Sequence, residues 1–269
     1  MQKQEPKKHH FIPQSYLKRF CSEDDHLFIL NKQYGKVNPQ PRTTAQVCYL
    51  EHLHTLESFG KKNYSVEKIL GTFEDKFSNF MDFIEGFDEK LLTELLQDEN
   101  FVNTLKIMLG IQFWRNPKNT DYAKSLSGNL LDIFDSSNPL NIKILSMSRK
   151  DVKFIYKKRK NESFQKIIQF FLLPLITFPL NGKFPNGWKI VRSPSFVRKF
   201  VTSDNPICSD NYNISSGNFI GEFAFPLTDR LLLTNTDKTF EQIQKMQVNN
   251  AEKLVISSSK EILQELVSS

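Results

Sequence analysis

At 269 residues, with 24 phenylalanines and a formal net charge of +6, the chain is long enough to bury a substantial core. Its charge favours a polyanionic partner without requiring one. Three widely spaced cysteines, Cys21, Cys48 and Cys208, argue against a disulfide framework. The opening residues Met1-Gln2-Lys3-Gln4-Glu5 lack the apolar run of a signal peptide. The most apolar stretch, Ile167 to Leu180, contains Gln169 and is broken by Pro174 and Pro179, short of the roughly 20 residues that span a bilayer. A cytoplasmic protein with no membrane partner is expected.

In chain order, Lys8-His9-His10-Phe11-Ile12-Pro13 precedes a short helix through Tyr16, Leu17 and Phe20. His26 to Lys32 and the residues past Gly35 read as two strands around a turn. Cys48-Tyr49-Leu50 is irregular or a short strand. From Ser65, placed to cap the first turn, the apolar residues Val66, Ile69, Leu70, Phe73, Phe77, Phe80, Met81 and Ile84 recur every three or four positions, the mark of a helix with one buried stripe. Glu67 and Glu74 border that stripe, two turns apart. A helix from Glu89 to Arg115, interrupted near Asp98-Glu99-Asn100, becomes apolar on nearly every side and is therefore internal. Gln112 lies within its apolar face, where a buried amide needs partners, and Pro117 stops it beyond Arg115.

Further helices are predicted from Tyr122 to Phe134 and Glu162 to Leu173, giving a body of about five helices. Strands are predicted over Gly187 to Val191, Phe196 to Thr202, Gly221 to Pro226 and Arg230 to Thr234, with Asp210 to Asn218 a surface loop. A helix from Thr239 to Leu254 and an edge strand at Val255 to Ser257 follow. The expected fold is α+β: an antiparallel sheet of N- and C-terminal strands against a central helical body. The expected domain is a single one over 1–269, with the motif and first strands in 1–60, helices in 61–180, and strands and a helix in 181–269.

Candidate chemistry concentrates at two rigid places. His9 and His10 stand beside Pro13, where an imidazole could exchange a proton or ligate a metal; a positively charged N-terminal arm is the alternative. In Thr202-Ser203-Asp204-Asn205-Pro206, Asp204 could ligate a divalent ion, orient a histidine, or cap its own turn. Cys48, His52 and His54 do not have the spacing of a closed zinc site, and His26, His52 and His54 read as surface or loop histidines. The run Lys157-Lys158-Arg159-Lys160 reads as a solvated helix end or a nucleic-acid contact. Phosphate-loop, dinucleotide, nucleophile-elbow, CxxC and HExxH signatures are missing from the sequence.

The chain resembles a large, mostly bacterial family of proteins of unknown function with a His-His-x-x-Pro-x-x-Tyr-Leu-x-x-Phe opening and a later Thr-Ser-Asp-Asn-Pro. These stand here as His9 to Phe20 and Thr202 to Pro206. The resemblance extends to a helical glutamate, matched by Glu74 and less closely by Glu67, to Gln112-Phe113-Trp114-Arg115, and to Pro226-Leu227-Thr228. It implies one polar site made of His9, His10, Glu74, Gln112, Arg115, Ser203 and Asp204. Such a set suits phosphodiester hydrolysis, with Glu74 and Asp204 holding Mg2+ or Mn2+, a histidine moving a proton and Arg115 neutralising phosphate. The expected function is a nuclease acting on RNA or DNA, in phage defence or as a toxin. A non-catalytic module binding a nucleotide or another anion in the same cleft, or a structural interaction protein, is the alternative.

Overall fold

In the computed structural model, which describes residues 7–180, 182–214 and 217–268, the first histidines lie on a strand, β1 (Lys8–His10). Pro13, with its fixed φ and no N–H, then opens helix α1 (Gln14–Leu17), extended by a tight turn over Lys18–Phe20. Leu17 and Phe20 of this motif are fully buried. Strands β2 (Phe28–Asn31) and β3 (Lys36–Val37) form the expected hairpin, with Gly35 at φ +59° in its turn. Strand β4 (Tyr49–Glu51) returns to pair with β1, setting Leu50 opposite His9. A second hairpin, β5 (Leu56–Ser58) and β6 (Lys61–Asn63), follows at once.

The predicted apolar stripe forms helix α2 (Ser65–Glu85), burying Val66, Leu70, Met81 and Ile84. Its cap is not Ser65: the Asn63 side chain accepts the Ser65 N–H at 2.8 Å, because an Asn side chain reaches the backbone two residues on. The interruption near residue 98 separates α3 (Glu89–Leu95) from α4 (Glu99–Arg115), and Asp98 caps the latter by accepting the Phe101 N–H at 2.8 Å. Where one helix is predicted from Tyr122 to Phe134, the chain forms α5 (Thr120–Leu126) and α6 (Leu130–Asp135), followed by α7 (Pro139–Leu145) and α8 (Arg149–Lys157). The helical body therefore has more and shorter helices than five. Helix α9 (Glu162–Ile167) continues through a wide π turn, Ile168–Leu172, into α10 (Leu173–Ile176). Pro174 explains the widening, since a proline ring crowds the preceding turn and offers no N–H. Gln169 is thereby turned inward and donates to the Trp114 carbonyl at 3.0 Å and to Thr120 Oγ1 at 3.2 Å.

Helix α4 is the internal one. A Cβ on Gly110 would stand 2.6 Å from the Pro174 carbonyl oxygen, so α4 and α10 approach backbone to backbone. Nearby, the buried Lys106 ammonium donates to the carbonyls of Pro179 at 3.0 Å and Gly182 at 2.6 Å. Burial pulls its pKa down to about 8, and the neutral amine still has two N–H for the two carbonyls. The unfolded chain keeps this proton to about pH 10.4, so between these values it binds more protons than the folded chain. Stability therefore rises with pH across that interval. Urea melts of wild type and Lys106→Met should show wild type gaining on the variant from pH 7 to 10.

The C-terminal third supplies β7 (Lys189–Arg192), β8 (Thr202–Ser203), β9 (Asn211–Asn213), β10 (Asn218–Ile220), β11 (Ala224–Pro226) and β12 (Leu231–Thr234). Helix α11 (Phe240–Asn250), strand β13 (Leu254–Ser257) and helix α12 (Lys260–Ser268) complete it. Thr239 caps α11 reciprocally with Gln242, as its position predicts. Three expectations change. Phe196 and Val197 are exposed in an irregular segment, and only Thr202–Ser203 is strand. The 210–218 stretch contains the β9–β10 hairpin rather than only a loop. Strand β13 is central, between β2 and β8, in the sheet ordered β3-β2-β13-β8.

The architecture is α+β with antiparallel sheets. The β3-β2-β13-β8 sheet joins the two ends of the chain, but the single sheet expected is instead several small ones, among them β11-β12-β7 and the pairs β1-β4, β5-β6 and β9-β10. The largest core cluster links α4 (Leu105, Leu109, Trp114) to α10 (Leu175, Ile176) and to the β11-β12-β7 sheet (Phe225, Leu231, Leu233). No helix among the described residues is long and apolar enough to cross a membrane, and the three cysteines are free thiols.

Candidate metal centre

Adjacent strand residues face opposite sides, so His9 and His10 on β1 look in different directions; both sides are covered, leaving them 0% and 7% exposed. The His10 ring meets Tyr49 on β4, with centroids 5.7 Å apart. Past β4, His52 adopts the left-handed conformation, φ +55°, which turns the chain back and brings His54 under His9. The His54 N–H donates to His9 Nδ1 at 3.0 Å, so that nitrogen carries no proton, and a cation taken there would displace this bond. The His54 ring, 0% exposed, meets Phe170 of the π turn edge-on at 4.7 Å. Glu67, in the first turn of α2, sets Oε2 2.5 Å from His54 Nδ1 and 3.7 Å from His9 Nδ1. His9, His54 and Glu67 thus each offer a ligand atom within 4.8 Å of the others.

Burial, with the Arg115 charge adding to it, pushes the His54 pKa down to about 4 against the opposing Glu67 hydrogen bond. Its imidazole is therefore neutral at pH 7, the form that binds metals. A neutral imidazole has one N–H. On Nδ1 it bonds Glu67 and leaves Nε2, which is buried without a partner, as an unused lone pair. On Nε2 it leaves the Nδ1 lone pair facing the carboxylate, which repels it. Either tautomer leaves a lone pair that a divalent ion could use, so the donor set fits one, and binding it would move Nδ1 and Oε2 apart from their 2.5 Å contact. Two imidazoles and one carboxylate suit Mn2+, Fe2+ or Zn2+ better than the oxygen-seeking Mg2+.

A second polar group adjoins the first. Arg115, 1% exposed at the end of α4, donates from Nη1 to Glu74 Oε1 on α2 at 2.5 Å. Burial, then the Arg115 charge, lowers the pKa of His10. Arg115 Nε, Gln112 Nε2 and His10 Nε2 are all buried without a hydrogen-bond partner, and Gln112 lies one helical turn from Arg115. Gln112, Glu74, Tyr16 and Phe225 line a narrow cleft with a cavity of about 30 Å³, room for one or two waters. Formally, two carboxylates and one guanidinium leave a single negative charge here, which a divalent ion would reverse.

Of the residues singled out in the sequence, His9, His10, Glu74, Gln112 and Arg115 lie in these two groups. Ser203 and Asp204 belong to the neighbouring β8 end and face elsewhere. Ser203 Oγ accepts the Asn205 N–H at 3.1 Å. The Asp204 carboxylate accepts the N–H groups of Glu252, Lys253 and Leu254 at 2.9, 2.8 and 3.2 Å. Its lone pairs are thus committed to the turn between α11 and β13, and only its carbonyl approaches the site, accepting from Asn116 beside Arg115 at 2.9 Å. Asp204 and Glu74 are not part of the cluster with metal-ligand geometry.

His54, by sequence a surface or loop histidine, and Glu67, the less closely matched of the two glutamates, both belong to the cluster. The available signal was the His52-x-His54 pair just before a hairpin, with a glutamate in the first turn of the helix after it. Cys48, considered with His52 and His54 for zinc, buries its thiol among Ile12, Leu17 and Val47 instead. His52 is held outside the cluster by Lys62 Nζ at 3.0 Å.

No curated protein and no solved structure matches this chain. Residues 8–261 match the family described as "Protein of unknown function (DUF4238)", a span that begins at the strand carrying His9 and His10 and reaches into α12. The chain belongs to the DUF4238 family.

Proposed function

We propose that the protein is a metal-dependent phosphodiesterase of the nuclease kind, in which His9, His54 and Glu67 hold one divalent cation. The observation that carries this reading is the convergence of these three donors, two of them fully buried, beside a buried arginine. When bound, the cation would acidify a water and polarise a phosphoryl oxygen. Arg115, fixed by Glu74, offers its unused Nε to a non-bridging phosphate oxygen. His10, whose pKa burial lowers, can accept a proton from the attacking water. Gln112 offers a neutral N–H to the same anion. Ser203 and Asp204 act as positioning residues: they hold the turn whose backbone anchors Asn116, next to Arg115.

The test begins with metal-stripped protein. One equivalent of Mn2+ or Zn2+ should bind, measured by calorimetry and by metal content after gel filtration, and single-stranded RNA or DNA should then be cut. Glu67→Gln should abolish both binding and cutting, and chelation should silence wild type. Equal metal uptake by Glu67→Gln and wild type, or no turnover of any phosphodiester with any of these ions, would overturn the reading.

A further inference from the structure

The β5–β6 hairpin is inserted in sequence between two of the three donors, since His54 precedes it and Glu67 follows it. Its two-residue tip is unusual. Phe59 and Gly60 both have positive φ, +52° and +70°, the conformation of a type I′ turn, whose first position favours Asn, Asp or Gly. A bulky aromatic there is strained, and Phe59 is also completely exposed, at 102%. Neither cost is recovered by any packing of this side chain in the fold. Strain kept at an exposed position points to a use outside the fold.

Beside the hairpin runs a groove of about 660 Å³, walled on its other side by the turn between α8 and α9. The end of α8 and that turn carry Lys157, Lys158, Arg159 and Lys160, with Glu57 the acidic residue on the hairpin side. The aromatic ring on this side, Phe164, already faces a cation: Lys158 Nζ stands 5.5 Å from its centroid. The groove is tied to the metal-ligand loop. Ser163 Oγ both donates to the Glu57 carbonyl and accepts its N–H, each at 2.8 Å. Lys166 Nζ donates to the carbonyls of His52 at 3.3 Å and Thr55 at 3.1 Å, on either side of His54.

We infer that this groove binds single-stranded nucleic acid, with a base stacked on Phe59 and the phosphates along Lys157 to Lys160, an inference that rests on the phosphodiesterase reading for its link to the centre. A run of cations facing an exposed aromatic ring suits a single strand, whose phosphates and base faces are both open. A duplex buries its base faces against each other and has none to give Phe59.

The experiment is fluorescence anisotropy with labelled oligo-dT and oligo-U of twelve nucleotides, in chelator so that nothing is cut, across a salt series. Phe59→Asn should leave the melting temperature unchanged or raised, because Asn tolerates the left-handed conformation, while weakening binding at least about fivefold. Lys157→Gln with Lys160→Gln should weaken binding and flatten the slope of log K against log salt by about 1.4. Unchanged affinity in both variants, with wild type still hydrolysing bis(p-nitrophenyl) phosphate in Mn2+, would overturn the groove and leave the metal reading intact. Binding that both variants weaken, in a wild type that hydrolyses no phosphodiester, would support the groove and overturn the metal reading. Wild-type binding to phosphatidylserine vesicles, with none to either oligonucleotide, would overturn the groove in favour of a membrane surface.

Discussion

Replacing Arg115 with methionine should lower the melting temperature by on the order of 10 °C. The side chain is 1% exposed and its described partner, Glu74, is only 20% exposed. Removing the guanidinium leaves a largely buried carboxylate without its counter-charge, which costs about 3–5 kcal/mol. In a chain of this size each kcal/mol is worth roughly 2–4 °C. Adding Glu74→Gln should recover a good part of the loss, because an amide is far less costly to bury unpaired than a charge. Arg115→Lys should fall between, keeping charge but losing the planar fork that reaches Glu74. Calorimetric melts of wild type, Arg115→Met, Glu74→Gln and the double variant form a double-mutant cycle; a double variant no more stable than Arg115→Met would show that the ion pair is not the source of the loss.

Asp204→Ala should destabilise by about 3 kcal/mol without altering metal stoichiometry. The wild-type carboxylate, 6% exposed, receives three successive backbone N–H groups, from Glu252 to Leu254. Losing it strands these donors at the entry to β13, and each orphaned donor costs about 1–3 kcal/mol where water cannot reach it. Glu252 and Lys253 are exposed, so part of the loss is met by solvent. Asp204→Asn keeps one acceptor oxygen and should recover about half. Hydrogen exchange should speed up at residues 252–254, and metal content should remain that of wild type. A loss of bound ion in Asp204→Asn, with exchange at 252–254 unchanged, would instead make Asp204 a ligand.

Much of the helical body can be read from residue order. The stripe from Val66 to Ile84 has one periodicity and a turn-former before it, and α2 follows that stripe to within one residue at its C-terminal end. Helix α4 was recognisable as internal because an apolar surface on every side leaves no other place for it. The 119–160 region was harder. Its helices are only 6 to 9 residues long, and two turns of helix give too few repeats to separate a period of 3.6 from chance. Strand β13, an edge strand by sequence, is central between β2 and β8, which lie more than 50 residues away, and no local pattern records such pairings.

The His-His-x-x-Pro opening, the Gln112 and Arg115 pair and the two α2 glutamates were visible as polar groups where apolar ones are expected, because burying such groups is costly and must be compensated. Composition and order alone therefore determined that a polar site exists and that α4 runs beside it. Which carboxylate meets which imidazole was decided only in three dimensions. His54 reaches Glu67 through the β1–β4 register, the left-handed turn at His52 and the π turn that sets Phe170 behind the ring. A slip of one residue in that register would turn His9 to the opposite side, so the choice of ligands is a property of pairing and packing, which spacing along the chain does not encode.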